Sequence, residues 1–105
     1  MFVAIYTTFD NIDEAKKIAR ILVDEKLVAC VNLIPNVISI YPWQGKIEES
    51  EEIIMWCKTR DKQVESIKTK IKKHHSYDVP AFIVYQIKTG SEAYLQWITE
   101  ETEAA

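Results

Sequence analysis

The sequence predicts an α+β fold built on a single sheet, and three observations carry the prediction. Apolar, β-branched runs and segments of helical periodicity follow one another in the order β-α-β-β-α-β. A Gln44-Gly45 pair separates two long strand-like arms, which is a hairpin signal. The chain has 105 residues with 48% hydrophobic and 28% charged content, two Gly and three Pro, so it reads as one ordered domain over 1–105 rather than a low-complexity segment.

Phe2 to Thr8 reads as a short buried strand stopped by Asp10-Asn11. Asn11 and Glu14 have the capping-box spacing. Ala15, Ile18, Ala19, Leu22 and Val23 then recur on one face, opposite Lys16, Lys17, Arg20 and Asp24, which predicts an amphipathic helix ending near Leu27. Val28 to Ile34 and Val37 to Trp43 form one interrupted strand, with Pro35-Asn36 as a bulge or bend, and Ile47 to Thr59 returns beside it. Each arm of about 13 residues spans roughly 43 Å at 3.3 Å per residue, longer than a domain of this size is wide. Asp61 is placed to cap a second helix with the stripe Val64, Ile67 and Ile71, which stops before Pro80. Ala81 to Ile87 supplies the fourth strand, Gly90-Ser91 a break and a cap, and Tyr94, Trp97 and Ile98 the apolar face of a terminal helix. This is the order of a ferredoxin-like sandwich with an extra C-terminal helix.

A sheet covered on one face alternates polar and apolar residues, yet Val28 to Ile34 and Ile53 to Cys57 are apolar at both parities. A second face therefore needs a cover, and no further layer is expected from a chain of this length. Subunit association through the open face, with the protruding hairpin reaching a neighbour, meets that need.

Thirteen Lys and Arg against 16 Asp and Glu leave a net charge of −3, so no positive field draws in a polyanion. The Lys68 to His75 run reads as a solvated helix face, and Ile53 to Thr59 lacks the aromatic pattern with which sheets of this order stack RNA bases. Nucleic acid is not an expected partner. Neither is a membrane, because no apolar run approaches the roughly 18 residues a span requires. Met1 to Thr7 has no basic lead before its apolar stretch, which makes the cytoplasm the expected compartment and thiols the expected state of Cys30 and Cys57.

Pairing Trp43 with Lys46 leaves Cys30 diagonal to Cys57, and a one-residue bulge at Pro35 puts the two on opposite faces. Neither register forms a disulfide, so both read as buried small hydrophobes. His74 to Pro80 is the densest polar and aromatic cluster. Adjacent imidazoles on a helix point about 100° apart and do not chelate together. The plain reading is a cation that ends the helix against its dipole with Pro80 enforcing the stop, and the alternative is a metal site completed by Asp78 or a thiol, within one subunit or with a neighbouring one. Glu48, Glu49, Glu51 and Glu52 alternate between faces and read as a solvated segment with weak attraction for divalent cations. No nucleophile-base pair, phosphate loop or His-Glu-x-x-His pair occurs, and no enzyme activity is expected.

Ala29-Cys-Val-Asn, Tyr41-Pro-Trp-Gln-Gly-Lys-Ile-Glu, His75-Ser-Tyr-Asp-Val-Pro and Tyr94-Leu-Gln-Trp together resemble, in order and spacing, the CutA family of divalent-cation tolerance proteins across essentially the whole chain. The resemblance implies a ferredoxin-like subunit in a tight homotrimer, similar in architecture to the PII signalling proteins, with a link to copper and other divalent metals. It maps the family's recurrent polar and aromatic residues onto Cys30, Tyr41, Trp43, Lys58, His75 and Tyr77, gathered at clefts between subunits. It also implies a copper site of Cys, His and Glu in some bacterial members. Those positions read Thr7, His75 and Ala81 here, which leaves His75 as the metal candidate.

The function expected from these readings is divalent metal ion tolerance, through a trimeric, non-catalytic binding or signalling module. No cofactor is required, and a divalent cation such as Cu(II) is the candidate ligand. The alternatives are a PII-like sensor of a small anionic metabolite held by Lys58 and cleft aromatics, or a trimer scaffolding a partner protein.

Overall fold

The computed structural model describes residues 1–103. It shows an α+β fold with one open, antiparallel four-stranded sheet and three helices. Strands β1 (Phe2–Phe9), β2 (Cys30–Trp43), β3 (Lys46–Arg60) and β4 (Ile83–Gln86) lie in the order β2-β3-β1-β4. The helices are α1 (Ile12–Asp24), α2 (Val64–His74) and α3 (Glu92–Glu101). Alternation along β1 and β3 sends Val3, Ile5 and Phe9 with Ile53, Met55 and Cys57 to one face. There they pack against Ala15, Ile18 and Leu22 of α1 and Ile67 and Ile71 of α2 in a single apolar cluster.

The ends of the elements follow from local chemistry. Asn11 caps α1 by accepting the Glu14 amide at 2.9 Å, as its spacing predicts. The helix stops at Asp24, three residues before the expected end. Lys26 takes a left-handed φ of 58° and the Leu27 amide bonds back to the Leu22 carbonyl, a reversal that sequence reading associates with Gly or Asn. The hairpin turns on Gln44 and Gly45, both at positive φ (50° and 80°), the backbone that a two-residue loop requires. A one-residue register shift between Ile34 and Val37, with Asn36 at φ 61°, makes the bulge expected at Pro35-Asn36. Beyond it β2 pairs Cys30 with Lys58 and Val31 with Cys57, so the two cysteines occupy opposite faces and both are free thiols.

Three expectations are corrected. Asp61 does not cap α2. It opens a short 3-10 turn (Asp61–Gln63), its amide donating to the Met1 carbonyl and its carboxylate facing the terminal amine at 3.6 Å. Cys57 is a fully buried hydrophobe, whereas Cys30 is only half-buried. The chain also supplies part of a cover for the second face. Helix α3 lies against β3, its Tyr94 ring 5.8 Å from the Lys58 ammonium. Arg60 ties its end down, donating to the Thr102 hydroxyl (2.8 Å) and carbonyl (3.1 Å), with Gln63 bonding the same carbonyl at 3.0 Å. Ile98 is the fully buried contact of this helix, and Tyr94 and Trp97 stay exposed beside each other.

Burial pushes the Cys57 thiol up from about 9 to about 12, with a smaller push from Cys30. A raised acid pKa means that the native state keeps a proton the unfolded chain releases. The contribution to stability is complete below about pH 8.5 and falls as pH rises towards 12, by about 1.4 kcal/mol per pH unit. Denaturant midpoints measured from pH 8 to 10.5 should decline in the wild type and flatten in Cys57→Ala, and a thiol reagent at pH 8 should label Cys57 only on unfolding.

Candidate functional site

Above the helices the hairpin continues on its own, and its even-numbered β3 residues share a face with Val37, Ser39, Tyr41 and Trp43 of β2. This face and the loop that follows α2 form a cleft of about 460 Å³, with Thr8 and Asp10 at its floor and Ala81 on its wall. Tyr41, Trp43, Ser50, Glu52, Tyr77, Asp78 and Val79 complete the lining. Pro80 and the preceding loop cross over the end of β1 because the helix ends at His74 and the chain must return to start β4 beside Tyr6.

His75 is the post on which this loop is hung. Its ring lies stacked on Phe9, centroids 4.2 Å apart and 12° from parallel, with the side chain fully out of solvent. Nε2 donates to the Thr8 carbonyl, 2.6 Å away, and Nδ1 accepts the Tyr77 amide at 3.0 Å. Those two bonds define the neutral tautomer with its proton on Nε2. Glu14 stands 4.0 Å from Nδ1 and accepts the Ser76 hydroxyl at 3.1 Å. With both nitrogens engaged, a metal at either one displaces the Thr8 or the Tyr77 bond.

Tyr77 then donates its phenol to the Glu52 carboxylate at 2.7 Å. Desolvation, with the Glu52 hydrogen bond and charge behind it, raises this phenol above the usual tyrosine range. Glu52 corrects the reading of the acidic run. Glu48, Glu49 and Glu51 are exposed, but Glu52 is only 9% exposed because the loop folds over it.

Of the six residues proposed from sequence, the chain brings Tyr41, Trp43 and Tyr77 into this cleft, with His75 directly behind it. Cys30 and Lys58 are register partners elsewhere on the same side of the sheet, near α3. Ala81 lines the cleft, whereas Thr7 is fully buried, on the helix-covered side, its hydroxyl without a partner among the described residues. Asp10 is not among the site residues read from sequence, Asp78 reads there only as a further ligand beside the histidines, and Glu52 only as part of the solvated acidic run. The register from Trp43-Lys46 already placed Glu52 and Tyr41 on one face, but nothing in the sequence measured how far the 75–81 loop would fold over them. Among the described residues no group of three His, Cys, Asp or Glu stands close enough to hold a metal ion.

Fold and cleft together define a small α+β protein whose sheet keeps an uncovered face and whose hairpin stands clear of its own core. The chain belongs to the CutA1 divalent ion tolerance protein family, which it matches over residues 3–101. It is 42% identical over 101 residues to the divalent-cation tolerance protein CutA of Pyrococcus horikoshii, covering 96% of this chain and 98% of that one. It is also 42% identical to human Protein CutA, of which it covers 56%. The chain spans 55–57% of the length of the plant and mammalian relatives it matches. Among solved structures, the periplasmic divalent cation tolerance protein CutA of Archaeoglobus fulgidus superposes with a TM-score of 0.95 at 38% identity, covering 98% of this chain and all of that one. The CutA1 of Oryza sativa gives the same TM-score at 35% identity.

Proposed function

We propose that this chain acts in divalent metal ion tolerance as a homotrimeric, non-catalytic binding and signalling module of the cytoplasm. The observation that carries the assembly is uncovered apolar surface. Tyr6, Trp56 and Tyr85 form a continuous aromatic trio on the open sheet face, with ring centroids 5.2 and 5.5 Å apart, and Ile34 and Ile83 beside them are exposed. On the other side of the free hairpin Ile38, Ile40 and Ile47 form a second exposed stripe, Ile47 at 81%. A soluble monomer rarely carries two such patches, and a closed ring of subunits covers both. Association through these surfaces would also bring Cys30 and Lys58 of one subunit towards the hairpin of another.

The family supports the metal role, and the chemistry makes binding weak and exchangeable. A Cu(II) ion gains an imidazole at His75 by displacing the Thr8 bond at Nε2 or the Tyr77 amide at Nδ1, where Glu14 is the nearby second donor. Such an ion is a transient ligand, not a resident cofactor. Light scattering at micromolar concentration should give about three times the 12.2 kDa chain mass. Calorimetric titration with Cu(II) should give weak binding that drops in His75→Ala. A monomeric mass overturns the assembly, and tight copper binding that survives loss of His75 overturns the metal reading.

A further inference from the structure

The cleft holds a buried carboxylate for which the described residues supply no counter-charge. Glu52 is nine-tenths buried, only its Oε2 accepts a hydrogen bond, from a neutral phenol, and no Lys, Arg or His pairs with it among the described residues. Burying an ionised carboxylate without a cation is costly. Asp10 and Asp78 line the same space and add to the negative potential there. Around these charges the walls are aromatic: Tyr41, Trp43 and Tyr77, with Trp43 half exposed.

We propose that this cleft is a binding site for a small organic cation, an alkylammonium head held against the Glu52 carboxylate and the faces of Tyr41, Trp43 and Tyr77. Aromatic faces attract a cation through the ring quadrupole and suit a weakly hydrated ammonium group. A hard divalent ion instead demands six or more oxygens at close range, and the described residues offer no cluster that meets this demand. The volume of about 460 Å³ suits a small molecule and is far larger than a bare ion. The net charge of −3 favours approach of a cation from solution. Every group named belongs to one chain, although the hairpin that carries Tyr41 and Trp43 is also the segment proposed to reach a neighbouring subunit.

Choline and its uncharged isostere 3,3-dimethyl-1-butanol separate the proposal from simple apolar binding. Calorimetry on the intact protein should show millimolar or tighter binding of choline and none of the alcohol. Glu52→Gln keeps the shape and an acceptor for Tyr77, and it should weaken choline about tenfold or more. Trp43→Ala should weaken it less, and Glu51→Gln, on the opposite face of the strand, should leave it unchanged. Light scattering on the same samples reports assembly separately. The proposal is overturned by absence of choline binding in the wild type, by equal binding of the alcohol, or by binding indifferent to Glu52→Gln. A cleft filled by a lysine or arginine of a neighbouring subunit would appear as the first of these outcomes.

Discussion

Phe9→Ala should lower the unfolding free energy by about 3–5 kcal/mol, the usual cost of truncating a buried aromatic. Phe9 is completely buried at the end of β1, where it meets Ile53 across the ladder and belongs to the cluster under α1 and α2. It is also the surface on which His75 lies, so the cavity opens beneath the ring that fixes the Tyr77 amide and the cleft wall. Two effects should therefore appear together: a lower denaturant midpoint, and a Tyr77 phenol that titrates closer to the ordinary range because its hold on Glu52 loosens. Phe9→Leu should recover much of the stability, since it refills most of the volume, but not the flat stacking contact. A Phe9→Ala variant as stable as the wild type would show that His75 is held by its hydrogen bonds alone.

Trp56→Glu should turn the proposed trimer into a monomer. Trp56 sits at the centre of the open-face trio, edge-on to Tyr6 and tilted against Tyr85, and large aromatics in such central positions carry 2 kcal/mol or more of binding in typical interfaces. A carboxylate in its place removes that contact and must itself be desolvated if the interface forms. Sedimentation velocity should report the mass of a single chain, while far-ultraviolet circular dichroism stays close to wild type because the main core lies on the other face. An unchanged trimeric mass would show that association does not use this face.

How much of the site was legible follows from particular residues. The face shared by Tyr41 and Glu52 was readable, because strand parity and a two-residue turn determine it once Trp43 pairs with Lys46. The burial of Glu52 was not, because it depends on the 75–81 loop, whose path is set by a stacking contact and two imidazole hydrogen bonds to residues 67 positions away and 2 positions away. The packing of His75 was not legible for the same reason. An imidazole at the end of a basic helix looks available, and only its packing against Phe9 shows both nitrogens engaged. The anchoring of α3 was likewise invisible, since Arg60 and Thr102 are 42 positions apart and neither carries a pattern that points to the other.

The sequence by itself determined the order of the elements, the hairpin and its register, the bulge near Pro35, the apolar faces of α1 and α2, and the family. Each of these is written in local periodicity, turn chemistry or motif spacing, which neighbouring residues impose on one another. Only the tertiary structure decided that Glu52 is buried without a cation and that α3 covers part of the second face. It alone decided that Tyr41, Trp43 and Tyr77 share one cleft while Cys30 and Lys58 lie outside it. These outcomes depend on how far a loop or a terminal helix travels before it finds a surface to pack on, and that distance is set by long-range burial, which no local pattern encodes.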